Sequence, residues 1–135
     1  MKIDFTNEMI FSFPGPNICF LGNEIDFRKL AESILELTDN DKPGSLELLS
    51  LGFVESAGEK RKIIFSSKVE AKQLAVFNES GDVIFELDPK VWERLFRYFV
   101  LMSWYKRTYY LNAYEDCLYD LGLVQDVNFI CSSGF

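Results

Sequence analysis

The sequence predicts an α+β fold in a single domain, residues 1–135, with an antiparallel sheet of about six to seven strands packed against three helices. Three observations predict it. Hydrophobic residues make up 48% of the chain and charged residues 26%, the balance of a compact domain long enough to bury one core. Short runs of β-branched and aromatic residues alternate with turn signals. Longer stretches repeat apolar residues at helical spacing behind residues suited to capping.

The runs 9–13 (Met-Ile-Phe-Ser-Phe) and 18–21 (Ile-Cys-Phe-Leu) flank Pro14-Gly15-Pro16-Asn17, which reads as a β-hairpin. A first helix follows. Asn23 suits its N-cap, Glu24 and Asp26 fall in the first turn where the helix dipole favours acids, and Phe27, Leu30, Ala31, Ile34 and Leu35 form the buried stripe. It is expected to stop near Thr38, before a loop from Asp39 to Ser45. Strand-like runs at 46–55, 61–67, 72–77 and 82–87, with turn residues at 56–59 and 78–81, predict an antiparallel meander. Leu46 to Leu51 also suits a helical turn before Gly52. Asp88-Pro89 starts the second helix, with aspartate as cap and proline at the first helical position. Val91, Trp92, Leu95, Phe96, Phe99, Val100 and Met102 cover most of its circumference, which marks it as the most buried helix. Thr108 is placed to cap a third helix ending at Gly122, and Val127, Phe129 and Cys131 alternate with polar residues in a final strand.

Several function classes drop out. There is no histidine, so histidine bases, histidine metal ligands and Ser–His or Cys–His nucleophile pairs are excluded. The glycines are dispersed, with neither a Gly-x-Gly-x-x-Gly nor a Walker-type loop. Cys19, Cys117 and Cys131 are odd in number and widely spaced, which fits buried reduced thiols rather than disulfides or a three-cysteine zinc site. No cofactor or metal is implied. A carboxylate–metal nuclease is the one enzymatic alternative, because Glu70-Ala71-Lys72 and Asp88-Pro89-Lys90 match fragments of the pattern that holds Mg²⁺ and orients water. Asp88, however, already has a capping role. Nothing among Asp39/Asp41, Glu86/Asp88 and Glu115/Asp116/Asp120 singles out a pair set across a sugar-binding cleft.

The net charge of −7 disfavours nucleic acid and anionic membranes and favours a basic protein partner. Met1 to Phe5 lacks the apolar stretch of a signal peptide, and the run from Leu95 to Tyr105 is too short to span a bilayer, so a cytoplasmic location is expected. The charge is uneven. Residues 1–57 carry 4 basic and 10 acidic side chains, residues 58–107 carry 10 and 7, and residues 108–135 carry 4 acidic and no basic ones. Lys60-Arg61-Lys62 suits a nucleic-acid contact or a solvated strand end that blocks aggregation, and the overall charge favours the strand end.

All six tyrosines and both tryptophans fall between residues 92 and 119. On the expected third helix, Leu111, Tyr114, Leu118 and Leu121 point inward, leaving Asn112, Glu115, Asp116 and Tyr119 on the outward face. Asp120 occupies the last turn, where the dipole favours a cation. The first helix repeats the theme with Glu32 and Glu36, continued into the loop by Asp39 and Asp41. Each acidic face suits a basic partner, with tyrosine as an anchor on the third helix. Each also suits an ordinary solvated face, the more so on the first helix because Arg28 and Lys29 offer local pairs.

In small size, acidity, lack of a catalytic motif and α+β plan, the chain resembles the immunity proteins of bacterial toxin–immunity systems, including those of contact-dependent growth inhibition. The resemblance implies a non-catalytic antitoxin that binds a cationic toxin domain, often a nuclease, and blocks its active site. It implies partner-binding roles for Asn112, Glu115, Asp116, Tyr119 and Asp120, and for Glu32, Glu36, Asp39 and Asp41. A structural or adaptor domain, with an exposed tyrosine or Phe135 at a homodimer contact, is a third reading; the sequence leaves the oligomeric state open.

Overall fold

The computed structural model describes residues 1–6, 16–58, 61–111 and 127–134. In chain order these form β1 (Lys2–Thr6), β2 (Asn17–Leu21), α1 (Glu24–Ser33), β3 (Ser45–Glu47), β4 (Glu55–Ala57), β5 (Ile63–Ser67), β6 (Lys72–Phe77), β7 (Val83–Leu87), α2 (Pro89–Met102), β8 (Thr108–Tyr110) and β9 (Asn128–Ser132). Short 3-10 turns occupy Leu35–Thr38 and Leu48–Ser50. The fold is α+β. One sheet has the order β4-β1-β2-β9-β8 and the other β3-β5-β7-β6. Among the described residues no helix is long and apolar enough to cross a membrane.

The inner faces of the sheets meet in an aromatic core. The Phe20 ring of β2 lies parallel to Phe65 of β5 at 5.9 Å and edge-on to Phe129 of β9 at 5.0 Å, while Phe85 of β7 contacts Phe65 at 5.0 Å and Phe129 at 5.3 Å. Offset and edge-on geometries of this kind suit the ring quadrupoles. The helices close one end of this core, each starting directly after a strand. Asn23 Oδ1 accepts the Asp26 N–H at 2.9 Å and Asp26 Oδ2 accepts the Asn23 N–H at 3.0 Å, a reciprocal cap that starts α1. Phe27 of α1 meets Phe99 of α2 at 5.9 Å. Trp92 packs on Phe65 at 4.7 Å and donates its indole N–H to the Ser66 carbonyl at 2.9 Å.

Both helix starts lie where capping chemistry places them, but the strand arrangement corrects the sequence reading. The single antiparallel sheet is replaced by two mixed sheets with nine strands among the described residues: β1–β4, β2–β9 and β5–β7 are parallel pairs. The meander fails because β7, not β6, lies beside β5. Val83, Phe85 and Leu87 are all fully buried, so the strand with the most apolar inner face takes the central position. β6 opens with Lys72 and Gln73 and ends on the partly exposed Phe77, a composition suited to an edge. The 68–71 turn therefore strides over the end of β7: Lys68 N–H donates to the Leu87 carbonyl at 3.1 Å, and Asp88 N–H donates to the Ala71 carbonyl at 2.8 Å.

Further corrections are local. The antiparallel partner of β2 is β1, its other edge is taken by β9, and run 9–13 lies outside the described residues. The run 46–55 divides into a strand, a 3-10 turn and the start of a strand in the other sheet. α1 ends at Ser33, and the tighter turn that follows buries Leu37 instead of Leu35. Thr108 begins β8 rather than capping a helix, and the remainder of the expected third helix, 112–122, lies outside the described residues. α2 buries Val91, Trp92, Leu95, Phe99 and Met102, more than α1 does, while Lys90, Glu93, Arg97 and Leu101 are exposed along the other side. The final strand forms, but Phe129, Ile130, Cys131 and Ser132 are all buried, so both its faces are covered.

Candidate functional site

The acidic line on the first helix is where a sequence expectation meets described geometry. α1 turns Phe27, Leu30 and Ala31 into the core, which leaves Arg28, Lys29 and Glu32 outside. Beyond its end, the fully buried Leu37 pins the 3-10 turn, so Leu35 is left 50% exposed. Glu32, Glu36, Asp39 and Asp41 are likewise exposed along this segment of chain. Asp39 Oδ1 accepts the Asp41 N–H at 2.8 Å, and Thr38 Oγ1 donates to the Leu35 carbonyl at 2.6 Å, so the loop start is ordered by its own side chains.

None of these four carboxylates forms an ion pair among the described residues. The local pairs offered by Arg28 and Lys29 do not form, and Lys29 Nζ lies 5.6 Å over the Phe53 ring. The last turn of α1 contains no basic residue. Glu32 thus sits at the negative end of the helix dipole without a neutralising partner among the described residues, an arrangement that costs stability in isolation and is relieved by an external cation. The edge combines that unneutralised charge with one exposed leucine.

The other expected binding residues, Asn112, Glu115, Asp116, Tyr119 and Asp120, lie outside the described residues. The aromatic concentration divides by role. Trp92 is core, Tyr98 and Tyr109 meet edge-on at 5.0 Å, and Trp104 and Tyr105 are 75% and 59% exposed. Helical periodicity could not separate them. The available signal was position, since Trp104 and Tyr105 fall past Met102, where the buried face of α2 ends.

The Asp88 carboxylate of the nuclease alternative is committed to the backbone. Asp88 Oδ1 accepts the Lys90 N–H at 2.8 Å and Oδ2 accepts the Glu70 N–H at 2.7 Å. Partial burial works to raise the Asp88 carboxyl, but these N–H bonds and the nearby Lys90 charge outweigh it and hold it below its ordinary value. Glu70 itself lies at φ 66, in the left-handed region at the turn over β7. Among the described residues no three cysteine, aspartate or glutamate side chains are grouped to hold a metal ion.

Arg61 is not an accessible strand tip. Its guanidinium lies 5.8 Å from the Phe5 ring and 5.4 Å from the Phe77 ring, and it donates to the Gly81 carbonyl at 3.3 Å. With Thr6, Pro16 and Asn17 these residues line a cleft of about 340 Å³ at the end of the core opposite the helices. Asn17 Oδ1 already accepts from Asn128 Nδ2 at 3.0 Å. Cys19 and Cys131 are buried thiols with no disulfide. Burial, with Asp4 close by, pushes Cys19 up to about 11, and complete burial raises Cys131 well above its ordinary value. Neither is a nucleophile in this state. Comparison with protein-family models, with curated proteins and with solved structures finds no match to this chain.

Proposed function

We propose that the chain is a non-catalytic inhibitor of the immunity type, acting in the bacterial cytoplasm on a basic toxin domain such as a nuclease. The observation that carries this reading is the end of α1: four exposed carboxylates without an ion pair among the described residues, next to an exposed Leu35. Charge complementarity speeds encounter with a cationic partner, and seating Leu35 in an apolar recess of that partner slows release. Nucleic acid and anionic membrane are not partners in this reading, because the net charge of −7 repels both at long range. The sequence expectation adds Glu115 and Asp116 as further contacts for the same partner.

The test is co-purification with the product of the adjacent gene, followed by binding kinetics and protection of growth. Association is expected to slow as salt rises, and Glu36→Lys with Asp39→Lys to slow it by roughly tenfold or more. Leu35→Ser is expected to accelerate dissociation. Unchanged binding and protection in both the Glu36→Lys/Asp39→Lys and the Glu115→Lys/Asp116→Lys variants would refute the reading. Cleavage of DNA or RNA by the pure protein with Mg²⁺ or Mn²⁺ would replace it with the nuclease alternative.

A further inference from the structure

We infer that the turn closing α2, residues 104–107, is a second docking surface, built for a protein partner that presents carboxylates around an apolar recess. Its charge is opposite to that of the α1 edge, so it goes beyond the function proposed above.

The exposed side of α2 runs through Lys90, Glu93, Arg97 and Leu101 into this turn. The acid in that line, Glu93, is already paired with Arg97 at 2.7 Å. Leu101, Trp104 and Tyr105 are then 44%, 75% and 59% exposed. Burying a tryptophan is worth several kcal/mol, so a ring left this open beside a second aromatic is uncommon unless something covers it.

The turn is held rigidly. The Trp104 and Tyr105 N–H groups both donate to the Leu101 carbonyl, at 3.1 and 3.0 Å. Ser133, fully buried on the neighbouring strand end, ties down the rest. Its Oγ donates to the Tyr105 carbonyl at 2.8 Å and accepts the Arg107 N–H at 2.9 Å, while its own N–H donates to the Arg107 carbonyl at 2.8 Å. Binding through this turn therefore orders little backbone, and preorganisation of that kind raises affinity for a given contact area. Tryptophan, tyrosine and arginine are the residue types that dominate interface hot spots.

The charge selects the partner. Lys106 and Arg107 are exposed beside the rings. The Arg107 guanidinium donates to Tyr109 Oη at 2.9 Å and lies 5.7 Å over that ring, which fixes its positive charge at the rim. A second copy docking symmetrically on this turn would oppose Lys106 and Arg107 to themselves. An acidic protein surface with an apolar recess complements both the rings and the cations.

Acrylamide quenching reads the surface directly, because Trp104 is open to solvent and Trp92 is fully buried. The probe is a synthetic twelve-residue peptide of glutamates with two leucines and a phenylalanine, set against the same peptide with lysine for every glutamate. The acidic peptide is expected to shield the quenchable component, with affinity falling as salt rises. Lys106→Glu is expected to weaken this binding about tenfold. Trp104→Ala is expected to weaken it about thirtyfold when followed by anisotropy of a labelled peptide. An unchanged urea midpoint in Trp104→Ala confirms that the fold is intact. No shielding at millimolar peptide, equal shielding by the lysine peptide, or shielding only by an oligonucleotide would overturn the inference. Concentration-dependent loss of quenching in the protein alone would overturn it in favour of self-association. None of these readouts uses the toxin partner, so the result stands apart from the α1 edge.

Discussion

Asp88→Ala tests whether that carboxylate is a structural clamp or a candidate metal ligand. It removes two acceptors at once: the cap on Lys90 N–H at 2.8 Å and the bond to Glu70 N–H at 2.7 Å. A lost N-cap costs about 1 kcal/mol. A hydrogen bond to a charged group contributes about 1.5–3 kcal/mol, and the low end applies because water can reach Glu70 N–H once the carboxylate is gone. The expected total is about 2.5 kcal/mol, or roughly 8–12 °C in Tm for a chain of this length. Asp88→Asn keeps one acceptor oxygen and turns the other position into a donor, so it should cost about half as much. Urea titration followed by the emission of the buried Trp92 measures both variants.

The pH dependence carries the same sign. Because the folded state holds the Asp88 carboxyl below its ordinary value, folding favours the ionised form. The clamp contributes fully above about pH 5 and is lost as pH falls through about 4 toward the lower folded value. The gap between the parent and Asp88→Ala should therefore narrow on the acid side. An Asp88→Ala protein within about 0.5 kcal/mol of the parent at pH 7 would refute the clamp. Unchanged or increased stability together with loss of a nuclease activity would assign the residue to catalysis instead.

The register change after α1 separates two neighbouring leucines: Leu35→Ser should leave stability within about 0.5 kcal/mol, whereas Leu37→Ser should cost several kcal/mol, both read by urea midpoint. Glu70→Asn should stabilise by roughly 0.5–1 kcal/mol, because asparagine accepts the left-handed conformation that glutamate holds at φ 66; a loss of stability would show that the Glu70 side chain contributes more than its backbone costs. Mass-mapped alkylation at pH 8 should leave Cys19 and Cys131 unmodified in the native protein and label both in urea, since burial holds both thiols protonated.

What the sequence revealed was local chemistry, and what it concealed was strand order. Asn23 with Asp26 and Asp88 with Pro89 act within a few residues of themselves, so both helix starts were legible. The strands β5, β6 and β7 were legible too, because alternation and turns are short-range signals. Their order was not: β7 enters between β5 and β6 because of what it buries, and no turn residue encodes that. β1 was missed although Ile3 and Phe5 alternate with polar neighbours, a pattern that could have identified it. On the candidate edge, Glu32, Glu36, Asp39 and Asp41 were expected from charge and helical spacing, and all four are exposed. Leu35 was misplaced because a 3.6-residue period was extended through a turn that runs at about three. The exposure of Trp104 depends on where α2 leaves the core, which composition cannot show.

The two surfaces lie toward opposite ends of the helix pair, and that placement gives a prediction of its own. Phe27 of α1 meets Phe99 near the end of α2, whereas Leu37 in the 3-10 turn after α1 lies beside Gly44, whose N–H donates to Ser67 Oγ at the strand end next to the start of α2. The acidic edge therefore lies toward the start of α2 and Trp104 just past its end. Fourteen residues of α2 at about 1.5 Å each set them roughly 20 Å apart. At that distance two contacts that share no neighbours act independently, and their mutational costs add within about 0.5 kcal/mol. If one basic partner covers only the acidic edge, Trp104→Ala should leave its affinity unchanged and Glu36→Lys should carry the whole loss. If one partner spans both, each variant weakens binding and the double variant shows the sum, measured by calorimetry on the four proteins of the cycle. A coupling above about 1 kcal/mol would mean that the two ends communicate through the packed helices, and the treatment of the edge and the turn as separate sites would fail.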